Sequence, residues 1–169
     1  SRAYAHILSE NGLFPRKVIK LGDEIAPKFF FRYPKVSLPY SPTEFNPQVS
    51  VASSFEKFGR NIETILIDNV NSKEFINVLN KFDCKYLIYS GRAGVILKDE
   101  VLHACEGVLH VHGGYLPEYR GSTTFYYSIL DKFEIGASAI FINSEIDEGN
   151  IIYRQKYSPS KCLDVDYIQ

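Results

Sequence analysis

Two histidines and one aspartate carry the strongest chemical signal in the chain. His110 and His112 stand two apart in Gly107-Val108-Leu109-His110-Val111-His112. In an extended segment that spacing points both rings to one face. Gly113 and Gly114 follow at once, residues that let a backbone turn sharply or come close to a ligand. Asp147 lies 35 residues after His112, in Ile146-Asp147-Glu148-Gly149-Asn150. A carboxylate beside an imidazole fixes its tautomer and raises its pKa, which suits acid-base chemistry on an acyl group. The same three side chains, two imidazoles and a carboxylate, form a set able to hold a zinc ion, the chemistry of a metal-dependent hydrolase. Both readings compete with plain structural roles, since strand-end histidines can simply be hydrogen-bonded and Asp-Gly is ordinary in turns.

Other chemistries lack their residues. There is no G-x-S-x-G nucleophile elbow, no G-x-G-x-x-G and no Walker loop, and Gly91-Arg92-Ala93-Gly94 has the wrong spacing for either phosphate loop. Cys84, Cys105 and Cys162 form no metal-type pair, and their odd number and wide spacing predict reduced thiols in a cytoplasmic protein. Nineteen Lys and Arg against twenty Asp and Glu leave a net charge of -1. So balanced a chain has no bulk attraction for nucleic acid or anionic lipid, and neither is an expected partner. The most apolar stretch, Ala137 to Ile142, is strand-sized and far short of a membrane span. The opening Ser1-Arg2-Ala3-Tyr4 has no apolar core of a signal peptide. With 45% apolar and 23% charged residues in 169, the chain is sized and composed as one folded domain, 1–169.

The elements that must position these residues follow from the period of the apolar positions. Ser1 to Asn11 reads as a helix with Tyr4, Ile7 and Leu8 on one face, stopped by Asn11-Gly12. Lys17 to Leu21 reads as a strand. Residues 22 to 50 hold five of the eight prolines and read as a long loop. A short helix over Val51 to Phe58 and a buried strand over Glu63 to Ile67 come next. Asn71 or Ser72 caps a helix with Phe75, Ile76, Leu79 and Phe82 facing inward. Strand Lys85 to Tyr89, short helix Lys98 to Cys105, strand Gly107 to His112, helix Ser122 to Leu130, and strands Ala137 to Ile142 and Ile151 to Lys156 complete the pattern.

Strands alternating with helices predict an α/β fold: a single Rossmann-like, mostly parallel sheet with helices on both faces. A helix placed before any strand suggests that a first strand is missing, and the ending Leu163-Asp164-Val165-Asp166-Tyr167-Ile168 looks like the entry to a further segment, so the domain is expected to be truncated at both ends. In such folds chemistry gathers at the carboxyl ends of strands. Ser90 to Gly94, His112 to Gly121 and Asn143 to Asn150 are the loops expected there.

The stretch Val108 to Gln155 resembles the folate-dependent formyltransferases, the glycinamide ribonucleotide, methionyl-tRNA and nucleotide-sugar N-formyltransferases. Their signature is approximately N-x-H-x-S-x-L-P-x-Y-R-G followed by a D-x-G loop. His112 falls on the catalytic His, Leu116-Pro117-Glu118-Tyr119-Arg120-Gly121 on L-P-x-Y-R-G, and Asp147-Glu148-Gly149 on D-x-G. The resemblance implies the Rossmann-like formyltransferase fold and 10-formyltetrahydrofolate as donor cosubstrate. It implies His112 and Asp147 as catalytic residues, with His110 standing where the family has Asn at the oxyanion. A pterin-binding role falls on Arg92, Ala93, Gly94, Val95, Ile96 and Leu97, together with Asn143, Ser144 and Glu145. An acceptor-binding role falls on Gly113, Gly114, Tyr119, Arg120 and Gly121. The expected enzyme moves a formyl group to a small-molecule amine, with an amino sugar on a nucleotide carrier preferred because a tRNA acceptor usually calls for a basic surface. The open alternatives are the metal-dependent hydrolase and a catalytically inactive ligand-binding member of the fold.

Overall fold

The computed structural model describes residues 2–22, 49–91 and 94–159. The proline-rich loop expected over 22 to 50 falls almost entirely outside them, as does Cys162. The chain divides into two compact units, Ser1–Asn69 and Val70–Gln169.

In the first unit, helix α1 spans Arg2–Glu10. It ends at Gly12, whose φ of +69° lies in the left-handed region, and the Leu13 amide donates to the Leu8 carbonyl at 2.8 Å. This is the glycine-terminated stop that Asn11-Gly12 predicts. Its inward face centres on Ala5 and Ser9 instead of Ile7. Ile7 is 59% exposed, because two residues turn a helix by about 200° and carry it away from Ala5. Strand β1, Val18–Leu21, pairs in parallel with β2, Thr64–Ile67. Between them α2, Val51–Glu56, is capped by Ser50, whose hydroxyl accepts the Ser53 amide at 3.0 Å.

The second unit holds the residues of chemical interest. Helix α3, Lys73–Lys81, is capped by Ser72, which accepts the Phe75 amide at 3.1 Å, and it buries Phe75 and Leu79. Strand β3, Tyr86–Ile88, helix α4, Asp99–Leu102, strand β4, Gly107–His112, helix α5, Thr124–Lys132, and strands β5, Ile135–Phe141, and β6, Asn150–Tyr157, follow in order. The sheet order is β3-β4-β5-β6. Val101, Val108, Leu116 and Ile140 are almost completely buried and form the core. Among the described residues no helix is long and apolar enough to cross a membrane.

The α/β class read from the sequence holds. Two details differ from a single, mostly parallel sheet. The described strands form a two-stranded group, β1-β2, in the first unit and a four-stranded group in the second. Within the larger group β3 and β4 are parallel, joined through α4, whereas β5 is antiparallel to both β4 and β6. The link 142–149 between β5 and β6 has no crossover helix, and so short a connection joins only antiparallel neighbours.

Candidate functional site

His112 closes β4 and is only 6% exposed. Its Nε2 lies 2.8 Å from the Tyr119 carbonyl oxygen. A carbonyl can only accept, so Nε2 carries a proton and the neutral ring keeps its lone pair on Nδ1. That Nδ1 faces Asp147, 3.5 Å from Oδ1. The tautomer is therefore set by a backbone carbonyl, while the carboxylate stands ready to stabilise a proton on the opposite nitrogen. Asp147 is itself held, since its Oδ2 accepts the Gly121 amide at 2.7 Å.

Asp147 reaches His112 by an indirect route. A loop at the carboxyl end of β4 is what the sequence pattern predicts, but antiparallel β5 delivers the chain elsewhere. The Ile142 amide bonds the Val108 carbonyl at 2.8 Å, four residues before His112. The loop then returns toward the end of β4. Asp147 adopts a left-handed φ of +54° within it, a region that Asp and Asn enter far more readily than most residues. Gly149 makes the close approach possible: a Cβ there would lie 1.8 Å from the Phe141 carbonyl oxygen.

His110 is half-buried and places Nδ1 3.1 Å from the Tyr89 carbonyl oxygen. By the same reasoning Nδ1 donates, and neutral His110 offers only an acceptor at Nε2. It becomes a donor there only when protonated. Tyr89 is buried beneath the start of the following loop, and a Cβ at Gly91 would fall 1.9 Å from its hydroxyl. That hydroxyl has no hydrogen-bond partner among the described residues, and burial raises its pKa.

The Gly113-to-Gly121 segment acts largely through its backbone. A Cβ at Gly114 would sit 2.5 Å from the Tyr119 carbonyl and 2.7 Å from His112 Nε2, so glycine lets carbonyl and ring meet. The Thr124 hydroxyl donates to the Gly113 carbonyl at 2.6 Å. The Tyr119 side chain turns away and donates to Asp131 at 2.6 Å, which pushes its phenol up to about 12. Arg120 pairs with Glu148 on the surface.

The remaining site expectations are placed unevenly. Arg92 and Ala93 lie outside the described residues. Gly94 has a φ of +81°, Val95 and Ile96 are exposed, and Leu97 is buried. The Asn71 side chain donates to the Ile96 carbonyl and accepts the Lys98 amide, both at 2.8 Å. Ile96's carbonyl is thus already engaged. The Glu145 amide is taken by the Asn143 side chain at 3.1 Å, and Ser144 and Glu145 are exposed. Among the described residues no three His, Cys, Asp or Glu side chains gather as a metal set. The His110, His112 and Asp147 alternative therefore finds no ligand cage among the described residues.

Ser138 and Arg154 organise the same loop and are absent from the residues singled out by sequence. Fully buried Ser138 donates to the Gly114 carbonyl at 2.7 Å and accepts the Leu116 amide at 3.0 Å. Arg154 donates to the Leu116 carbonyl while its guanidinium lies 4.6 Å from the Tyr115 ring. The signal for Ser138 was present: one hydroxyl in an otherwise apolar strand.

Comparison with solved structures identifies the fold. The chain aligns with phosphoribosylglycinamide formyltransferase from Bacillus halodurans at a TM-score of 0.65 and 15% identity, covering 99% of this chain and 79% of that one. The enzyme of the same name from Anaplasma phagocytophilum aligns at 0.66 and 14%, covering 99% and 72%. Likeness at such identity defines an α/β formyltransferase fold and nothing finer. Residues 45–161, a span holding His110, His112 and Asp147, match the formyl transferase family model, and the chain belongs to that family. Methionyl-tRNA formyltransferase from Buchnera aphidicola is 35% identical over 88 residues, 51% of this chain and 28% of that protein. Its counterpart from Finegoldia magna is 30% identical over 94 residues, 54% and 30%. The matched stretch thus spans less than a third of these curated relatives.

Proposed function

We propose that this protein transfers a formyl group from 10-formyltetrahydrofolate to a small-molecule primary amine, an amino sugar on a nucleotide carrier. The observation that carries the reading is the buried His112–Asp147 pair at 3.5 Å, inside a chain of the formyl transferase family. The donor would supply the formyl carbon that the amine attacks, and its nitrogen would leave with a proton as tetrahydrofolate. Its pterin would meet the loop bearing Gly94 to Leu97, where the exposed side chains of Val95 and Ile96 suit an apolar ring and the orphaned Tyr89 hydroxyl lies close by in sequence. Arg92, Ala93, Asn143, Ser144 and Glu145 belong to the same reading.

The protein's own groups then divide the work. His112 holds its Nε2 proton on the Tyr119 carbonyl, which leaves Nδ1 to accept a proton as the amine becomes an amide. Asp147, fixed by the Gly121 amide, stabilises the resulting imidazolium. His110, when protonated, donates from Nε2 to the oxygen that gains charge in the tetrahedral transition state. Gly113, Gly114 and the Tyr119-to-Gly121 turn line the acceptor side.

The balanced net charge of -1 favours a small acceptor over tRNA. The names of the sequence relatives favour a second acceptor, the amine of an aminoacylated tRNA. The free thiols of Cys84 and Cys105 suit a cytoplasmic setting. The full-length protein should be incubated with 10-formyltetrahydrofolate and, separately, nucleotide-linked amino sugars, glycinamide ribonucleotide and methionyl-tRNA. Formylation of the amino sugar by mass spectrometry is the expected result. Formylation of methionyl-tRNA alone would replace the acceptor, and formylation of none would overturn the activity.

A further inference from the structure

Cys84 and Cys105 lie just ahead of two parallel strands. β3 and β4 pair Tyr86 with Gly107, and the amides of Glu106 and Gly107 both bond the Lys85 carbonyl, at 2.8 and 3.2 Å. Cys84 and Cys105 both lie outside that ladder, each two residues before its strand, and the register carried back beyond the strand ends would set one opposite the other. Cys84 Sγ donates to the Tyr86 carbonyl at 3.6 Å, and the neighbouring Cys84 thiol is among the causes that raise the Cys105 pKa. Neighbouring strands stand about 4.8 Å apart, inside the roughly 4.4 to 6.8 Å Cα spacing that a disulfide accepts. Both residues are partly exposed, so a small oxidant can reach them.

We propose that Cys84 and Cys105 form a modification site, a dithiol that hydrogen peroxide converts into an intramolecular disulfide. In the first step a cysteine sulfur attacks one peroxide oxygen, the O–O bond breaks, and water leaves a sulfenic acid. In the second step the other sulfur attacks the sulfenic sulfur, the S–S bond forms, the S–O bond breaks, and its oxygen leaves as water with the thiol proton. Two thiols are oxidised and one peroxide is reduced to two waters. Burial and the neighbouring thiol hold the Cys105 proton, pushing that group up to about 12. Either sulfur can meet the oxidant first, and the other then resolves it. The bond would close the segment 85–104, which carries Tyr89, the loop 94–97 and α4, without touching His112. The inference is independent of which amine is formylated.

The test uses the protein carrying Cys162→Ser, so that the pair alone remains among this chain's three cysteines, with peptide mapping of the unsubstituted protein alongside. Hydrogen peroxide should remove both titratable thiols, give a monomer lighter by two hydrogens with residues 84 and 105 in one cross-linked peptide, and raise Tm by roughly 5 to 10 °C. Dithiothreitol should reverse all three changes. With Cys105→Ser added, Cys84 should stop as a sulfenic acid that dimedone captures. Persistence of both thiols, sulfinic acid without a cross-link, or bonds formed only between molecules would each overturn the proposal.

Discussion

Replacing Asp147 by Asn isolates the charge that faces His112. The exchange preserves shape, and Asn tolerates the left-handed φ of +54° that Asp147 adopts. Its side-chain oxygen can still accept the Gly121 amide, now bonded at 2.7 Å. Folding should therefore change little. What disappears is the attraction between carboxylate and imidazolium at 3.5 Å. At an effective dielectric near 20, two unit charges at that distance interact by about 5 kcal/mol. Partial exposure of the carboxylate and the amide's remaining dipole reduce the net loss, so a transition-state cost of about 3 to 5 kcal/mol is expected. That corresponds to a kcat lowered by about 10² to 10⁴-fold. Single-turnover formyl transfer would report it, with KM for the acceptor nearly unchanged. Asp147→Ala should lose the same activity and also stability, because it abandons the Gly121 bond and strains the backbone. Combining Asp147→Asn with His112→Ala should cost hardly more than His112→Ala alone, since the pair acts as one unit. Near-wild-type turnover in Asp147→Asn, with the Gly121 contact intact, would refute the assigned role.

Three further outcomes are expected. His110→Asn should keep or increase formyl transfer and remove one pH dependence, because neutral His110 uses its only N–H on Tyr89 whereas Asn carries two donors at every pH; activity of the wild type falling no more steeply with rising pH than that of the variant would contradict this. Ser138→Ala should lower stability by about 2 to 4 kcal/mol, because it strands a buried carbonyl and a buried amide together; denaturant melts would check it, and a loss under about 0.5 kcal/mol would mean that the loop finds other partners. The Tyr119 phenol, held up to about 12 chiefly by its bond to Asp131, is protonated more tightly folded than unfolded. Its contribution to stability should be complete below pH of about 10 and fade as pH rises through about 12; ultraviolet titration of Asp131→Asn should move that phenolate step downward.

Helix positions were legible because their signals are local. Ser72 caps α3 by accepting the Phe75 amide, and Gly12 ends α1 in the conformation that glycine alone enters freely. Strand boundaries were legible for a similar reason, since apolar runs between turn residues bound them. Strand direction was not. Whether β5 runs with or against β4 depends on where the connection 113–134, which carries α5, returns to the sheet, and no residue pattern in the strand records that. The same blindness hid the route by which Asp147 reaches His112. The spacing of 35 residues matched a family pattern, but the returning loop that realises it is a property of the chain path.

Hydrogen bonding at the candidate site is dominated by main-chain groups. The Tyr119 carbonyl sets His112, the Tyr89 carbonyl sets His110, and the Gly121 amide sets Asp147. Conserving a side chain at Tyr119 would not by itself conserve its contribution, since the phenol points to Asp131. What must be kept is a backbone course, and the groups that keep it are small or buried: Gly114 by absence of a Cβ, Ser138 by two bonds to the turn, Gly149 by closeness to Phe141. Such residues look inert in a sequence because their chemistry is steric. His110 has the opposite character. Its fixed carbonyl bond leaves one ring nitrogen whose role switches from acceptor to donor with a single proton, so an Asn-to-His change at this point turns a constant hydrogen-bond donor into a conditional one.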